Sequence, residues 1–228
     1  MQAQDVLYTL SVWAIPLVLA ITLHEAAHGF VAWKLGDPTA YRLGRVTFNP
    51  LKHIDPFGTI VLPAMLFLMR APFLFGFAKP VPVNFRALRH PRRDSVLVAM
   101  AGPGTNLLLA VSSALLIHGA LLMPPVASVW LVENLKNSLL INLVLAVFNM
   151  LPLPPLDGGR VAVGLLPPPL ARPLARLERY GILILVGLLF LLPWLGRALG
   201  RDVNVMSWVV WRPVVFLLDL ITTVTGLK

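Results

Sequence analysis

No cysteine occurs among the 228 residues, so the chain has no disulfide, no thiolate nucleophile and no sulfur ligand for a metal. Acidic residues are scarce as well, 10 against 19 Lys and Arg. Charged residues of both signs make up only 13% of the chain, while 57% is hydrophobic and the mean hydropathy is +0.80. A water-soluble domain of this size cannot hide that much apolar surface, so the sequence reads as an integral membrane protein. The net charge of +9 does not point to nucleic acid, because no basic, aromatic-interleaved domain accompanies it. In a membrane protein such an excess fits loops facing anionic lipid on the cytoplasmic side. Met1 to Asp5 carries no basic residue and no small-residue cleavage site follows, so the first apolar segment is expected to stay as a helix.

About 20 apolar residues carry a helix across the hydrocarbon. Five segments meet that need, roughly 6–33, 95–122, 130–152, 180–196 and 205–226, the last interrupted by Arg212 and Pro213. A sixth apolar run, 57–77, contains Gly58, Pro63, Arg70, Pro72 and Gly76, and suits a re-entrant or interfacial hairpin better than a straight span. The expected fold is an all-α polytopic membrane protein forming one membrane-embedded domain over 1–228. Imperfect alternation at Tyr41, Leu43, Val46 and Phe48 predicts a small β-hairpin near 41–48. Proline-rich 164–176 excludes one continuous helix there. Thirteen of the 19 basic residues fall in three stretches, Lys34 to Lys52, Lys79 to Arg93 and Arg160 to Arg179. All thirteen share one side if 57–77 does not cross, which by the positive-inside rule is the cytoplasm, with the N-terminus outside.

Two motifs carry chemistry. After the eighteen uncharged residues Val6 to Leu23 comes "HEAAH", with His24 and His28 four apart and therefore on one helix face. One divalent cation can bridge them, and Glu25 beside the first is placed to take a proton from water, the arrangement of zinc hydrolases. Polar groups kept within an apolar run usually serve a function. Catalytic zinc takes three protein ligands, so a third is needed. "NMLPLPPLDGGR", 149–160, supplies Asp157 after nineteen uncharged residues, in backbone that Pro152, Pro154 and Pro155 make irregular. Such backbone is tolerated at membrane depth only where protein buries it or it lines a wet cavity. The plain alternative for Asp157 is an N-cap of a helix starting at Gly158. Gly158 and Gly159 are expected to let the backbone approach the first helix.

Together these motifs resemble the site-2 protease family of intramembrane zinc metalloproteases. "HEAAH" matches its His-Glu-x-x-His, "NMLPLPPLDGG" its Asn-Pro…Leu-Asp-Gly element, and "AGPGTN", 101–106, its Gly-Pro-x-x-Asn signature. The resemblance covers about 6–166 and is closest to short bacterial and archaeal members without a PDZ or CBS domain. It implies one Zn2+ per chain held by His24, His28 and Asp157, with Glu25 as general base. It also implies cleavage of a peptide bond in or next to a transmembrane segment of a membrane-protein substrate. On this reading 6–166 is the catalytic core, 167–228 adds C-terminal helices, and the enzyme sits in the inner (cytoplasmic) cell membrane with its site near the cytoplasmic side. The same ligands also suit a metal-transporting or metal-sensing membrane protein.

Supporting residues follow. Asn149 and Asn106 are candidates for binding the substrate backbone or an oxyanion; Asn142 fits interhelical hydrogen bonding. For His53, approach to the metal, gating, substrate contact and a plain interfacial turn all stay open. His90 and His118 read as structural, and Gly102 and Gly104 as small residues for helix packing. A substrate strand is expected to add to an edge near 41–48.

Overall fold

The computed structural model describes residues 3–69, 78–200 and 205–228. In chain order it forms α1 (Ala3–Lys34), α2 (Thr39–Arg42), α3 (Leu62–Leu68), α4 (Pro91–Ala120), α5 (Pro125–Asn149), α6 (Asp157–Leu165), α7 (Pro168–Arg176), α8 (Gly181–Val186), α9 (Leu192–Ala198) and α10 (Arg212–Val224). Among the described residues five helical paths are long and apolar enough to cross a membrane: Leu7–Lys34, Pro91–Ala120, Pro125–Asn149, Pro168–Ala198 and Ser207–Val224. Each expected span lies on one of them, and the all-α class holds. Prolines open α4, α5 and α7, where their missing N–H costs nothing.

Side-chain bonds fix the directions of the first three spans. Asn137 Nδ2 donates to Val12 O at 2.9 Å, and Trp130 Nε1 to Ser11 Oγ at 3.0 Å, so α5 starts beside the start of α1. At the other end Asp157, just past α5, lies against His24 and His28 of α1. Helices α1 and α5 are therefore parallel. Helix α4 runs the opposite way, with Val98 beside His28 and Asn106 beside Ala20. Lipid gives helices little apolar reason to associate, so close packing of small residues does it. Ala20, Ala32, Ala110 and Ala114 are fully buried. Val210, Val214 and Ile221 pack the last span onto Ala110, Ala114, Leu139 and Leu143. Arg212 finds its partner within that span, its guanidinium 3.7 Å from the Trp208 ring centre.

The re-entrant expectation for 57–77 is met at its described ends. Lys79 N–H bonds His53 O at 2.9 Å, so the chain leaves and returns at one level. Its outgoing limb is helical from Pro56 through α3, started by Asp55, which accepts from Phe57 and Gly58 N–H at 3.1 and 2.7 Å. Residues 70–77 of that expectation lie outside the described residues. The antiparallel run of α1 and α4 agrees, since a crossing excursion would make them parallel.

The hairpin near 41–48 does not form; among the described residues there is no strand. The reason is local. Arg42, Leu43, Gly44 and Arg45 N–H all bond back to carbonyls of Pro38 to Tyr41, so the first half of the expected hairpin has none left for a ladder. Gly44, at φ +64°, closes this turn in the left-handed region open to glycine. Tyr41 stacks on Trp33 at 4.2 Å, which holds the turn against the end of α1.

Candidate metal centre

Helical spacing puts His24 and His28 one above the other near the end of α1, 7% and 8% exposed. Asp157, 9% exposed, is the first residue of α6 and makes no cap bond, so its plain N-cap reading fails. Its Oδ2 lies 3.2 Å from His24 Nε2 and 3.3 Å from His28 Nε2, and the two Nε2 atoms are 3.0 Å apart. Three ligand atoms at zinc distances and tetrahedral angles stand about 3.3 Å from one another, so this triangle fits one zinc ion. It is the only such group of three among the described residues.

The hydrogen bonds turn the two rings so that Nε2 faces Asp157. His24 Nδ1 meets Asn106 Oδ1 at 2.6 Å, and His28 Nδ1 meets Val98 O at 2.7 Å. Both partners accept, so both Nδ1 atoms carry a proton, and in the neutral imidazoles both Nε2 atoms present lone pairs. Asp157 Oδ2 is buried with no donor. With both rings neutral, two nitrogen lone pairs and a carboxylate oxygen face each other across this triangle. A cation resolves that, and Gly102 keeps the space open for it. A Cβ there would stand 2.5 Å from His24 Nε2 and in collision with His28 Nε2. The residues present fit a zinc ion.

The ligands line a cleft of about 150 Å³ whose other walls include Glu25, Pro80, Val81, Val83, Asn149 and Arg160. Glu25 Oε2 accepts from Val81 N–H at 2.8 Å. Asn149 reaches the cleft while donating to Leu145 O at 3.0 Å. Asn106 does not reach it. Fully buried behind His24, it donates to Asn142 Oδ1 at 2.7 Å and Ala20 O at 3.3 Å. Asn142 passes the chain of bonds on to Ser138. His53 is likewise away from the cleft, with Nε2 3.1 Å from Thr47 O. Gly158 and Gly159 do not approach α1. A Cβ at either would overlap Met150 or Pro154, so they let α6 fold back onto its own lead-in turn.

A family model for peptidase family M50 matches residues 125–193. Over 198 residues the chain is 43% identical to "Putative zinc metalloprotease YwhC" of Bacillus subtilis, covering 82% of this chain and 86% of that protein. The chain belongs to peptidase family M50. Two proteins called "Putative zinc metalloprotease Rip2" are also similar. The one from Mycobacterium tuberculosis (strain ATCC 25618 / H37Rv) is 33% identical over 191 residues, 84% of this chain and 70% of that protein. The one from Mycolicibacterium smegmatis is 32% identical over 180 residues, 79% and 66%. No solved structure matches.

As an M50 peptidase the chain is a zinc metalloprotease with membrane-spanning helices, the site-2 family its motifs resemble. Two parts of the centre escaped sequence reasoning. Gly102 reads as a packing glycine until the imidazoles are placed beside it. Val81 offers only a backbone N–H, which no pattern of side chains announces.

Proposed function

We propose that this M50 peptidase cleaves a peptide bond in or next to a transmembrane segment of a membrane-protein substrate. His24, His28 and Asp157 hold the zinc, and Glu25 is the general base. The observation that carries the reading is a buried ligand triangle at the end of a membrane-spanning helix, opening on a cleft that Glu25 and Asn149 also line. A helical peptide bond is shielded by its own hydrogen bonds and side chains, so a substrate helix must unwind locally before cleavage.

Zinc, when bound, supplies Lewis acidity, polarising a carbonyl and bringing water within reach of deprotonation near neutral pH. The rest is work for the chain. Glu25 takes the proton from the attacking water on its carboxylate and hands it to the leaving nitrogen as the C–N bond breaks. Asn149 spends one amide N–H on Leu145 O, and its second is free for a substrate carbonyl oxygen. Asn106 acts on His24, holding the tautomer that leaves Nε2 unprotonated. Without an edge near 41–48, strand addition there drops out of the mechanism.

The catalytic core is about 6–166, with 167–228 as additional helices in the same domain. The ligand triangle sits at the end of α1 that leads into the basic residues Lys34 to Lys52. The positive-inside rule then puts the site near the cytoplasmic side of the inner membrane, with the N-terminus outside. Metal transport is not favoured. Deeper in the bundle Asn106, Asn142, Ser138 and Ser113 bond to one another, and among the described residues no second His, Asp or Glu ligand group occurs.

Glu25→Gln tests the assignment: cleavage of a membrane substrate in detergent or proteoliposomes is lost while one zinc per chain remains. Wild-type turnover by that variant overturns it. Zinc flux into proteoliposomes would favour transport instead.

A further inference from the structure

We infer that Pro80-Val81-Pro82 is a strap that sets the orientation of Glu25 through one backbone N–H, making Val81, Arg45 and His53 positioning residues for the general base. This rests on the reading of Glu25 given above. Proline has no N–H, so in these three residues Val81 carries the only donor. That donor meets Glu25 Oε2 at 2.8 Å, which leaves Oε1 for the reacting proton. Proline at 82 also holds Val81 extended, so the N–H cannot turn into a helical bond.

A donor positions a carboxylate only if it is itself fixed, and the strap is fixed on three sides. Upstream, Lys79 N–H bonds His53 O at 2.9 Å, and Arg45 Nη2 donates to Lys79 O at 2.7 Å. Downstream, Asn84 N–H bonds Asp37 Oδ2 at 2.6 Å. Underneath, the buried Val81 side chain seats against Gly29, where a Cβ would stand 3.1 Å from Val81 Cγ1. Arg45, His53 and Asp37 are themselves buried, 8%, 3% and 0% exposed. None of the three lines the cleft, yet each holds the strap that does. A role for His53 follows: its backbone buckles the strap to the loop before it.

The test is a set of variants of the full-length protein in detergent, assayed for kcat, KM and zinc content on one membrane substrate. Val81→Pro deletes the donor and keeps an extended backbone. Its kcat should fall about tenfold to a hundredfold, with KM and zinc content near wild type. Val81→Ala, which keeps the N–H, should lose much less. Equal losses in the two, or wild-type kcat in Val81→Pro, overturn the strap. If Val81→Pro does not fold, Arg45→Gln decides: a fall in kcat at constant KM and zinc content supports the strap, and unchanged kcat overturns it. Glu25→Gln is run beside them. If it is inactive while Val81→Pro is fully active, only the strap fails. If it is active, the assignment of the base fails first.

Discussion

Gly102→Ala gives the sharpest check on the ligand geometry, because it adds one methyl group where the ion is expected. The added carbon would stand 2.5 Å from both His24 Nε2 and Cε1. Ordinary van der Waals contact begins near 3.4 Å, so the imidazole must retreat by about 1 Å. Zinc sites hold their ligand distances to about 0.2 Å, so the required shift is roughly five times the tolerance. Zinc affinity should fall at least about a hundredfold, or ~2.7 kcal/mol. Competition against a chelator of known affinity, on purified protein in detergent, reads this directly. Gly104 supplies the control, two residues along the same helix, with nothing within 4 Å of its added Cβ. Gly104→Ala should bind zinc as the parent does, with a gain in helix stability of up to ~1 kcal/mol. Should Gly102→Ala hold zinc within about threefold of the parent, α4 does not border the ion, and the triangle has been misread.

Other outcomes follow from the same contacts. Asn106→Leu strands the Nδ1–H of His24 in an apolar interior, and chelator competition should show zinc bound about 10- to 100-fold more weakly. Asn106→Asp keeps an acceptor and should retain most of that affinity. Stripping zinc with a chelator should abolish cleavage and lower the thermal unfolding midpoint, both restored on adding zinc. Gly181→Ala forces a methyl into Pro154 O and Pro155 Cδ, and should cost about 1–3 kcal/mol in unfolding measurements. Gly187→Ala, with open space around it, should cost nothing measurable.

Much of this was legible from residue order. Apolar runs gave the spans, because a bilayer demands them whatever the packing. Basic residues and ligand geometry independently predicted that 57–77 turns back, and the bond between Lys79 and His53 agrees. His24, His28 and Asp157 announced themselves as polar groups in apolar surroundings. The hairpin near 41–48 failed because alternation says which side chains face out, not where backbone N–H groups are spent. There the turn after α2 had used them. Asn106 drew attention as a polar group in a span, but only its partners distinguish a residue facing substrate from one standing behind a ligand. Gly102 and Val81 contribute absence and backbone, to which side-chain patterns are blind.

The buckle between His53 and Lys79 also bears on how this enzyme can diversify. Because Lys79 is tied both to His53 O and to Arg45, the 54–78 excursion is closed off at its base before the chain reaches the catalytic cleft. A closed base of this kind is the place where a grafted segment or an engineered reporter should disturb the neighbouring chemistry least.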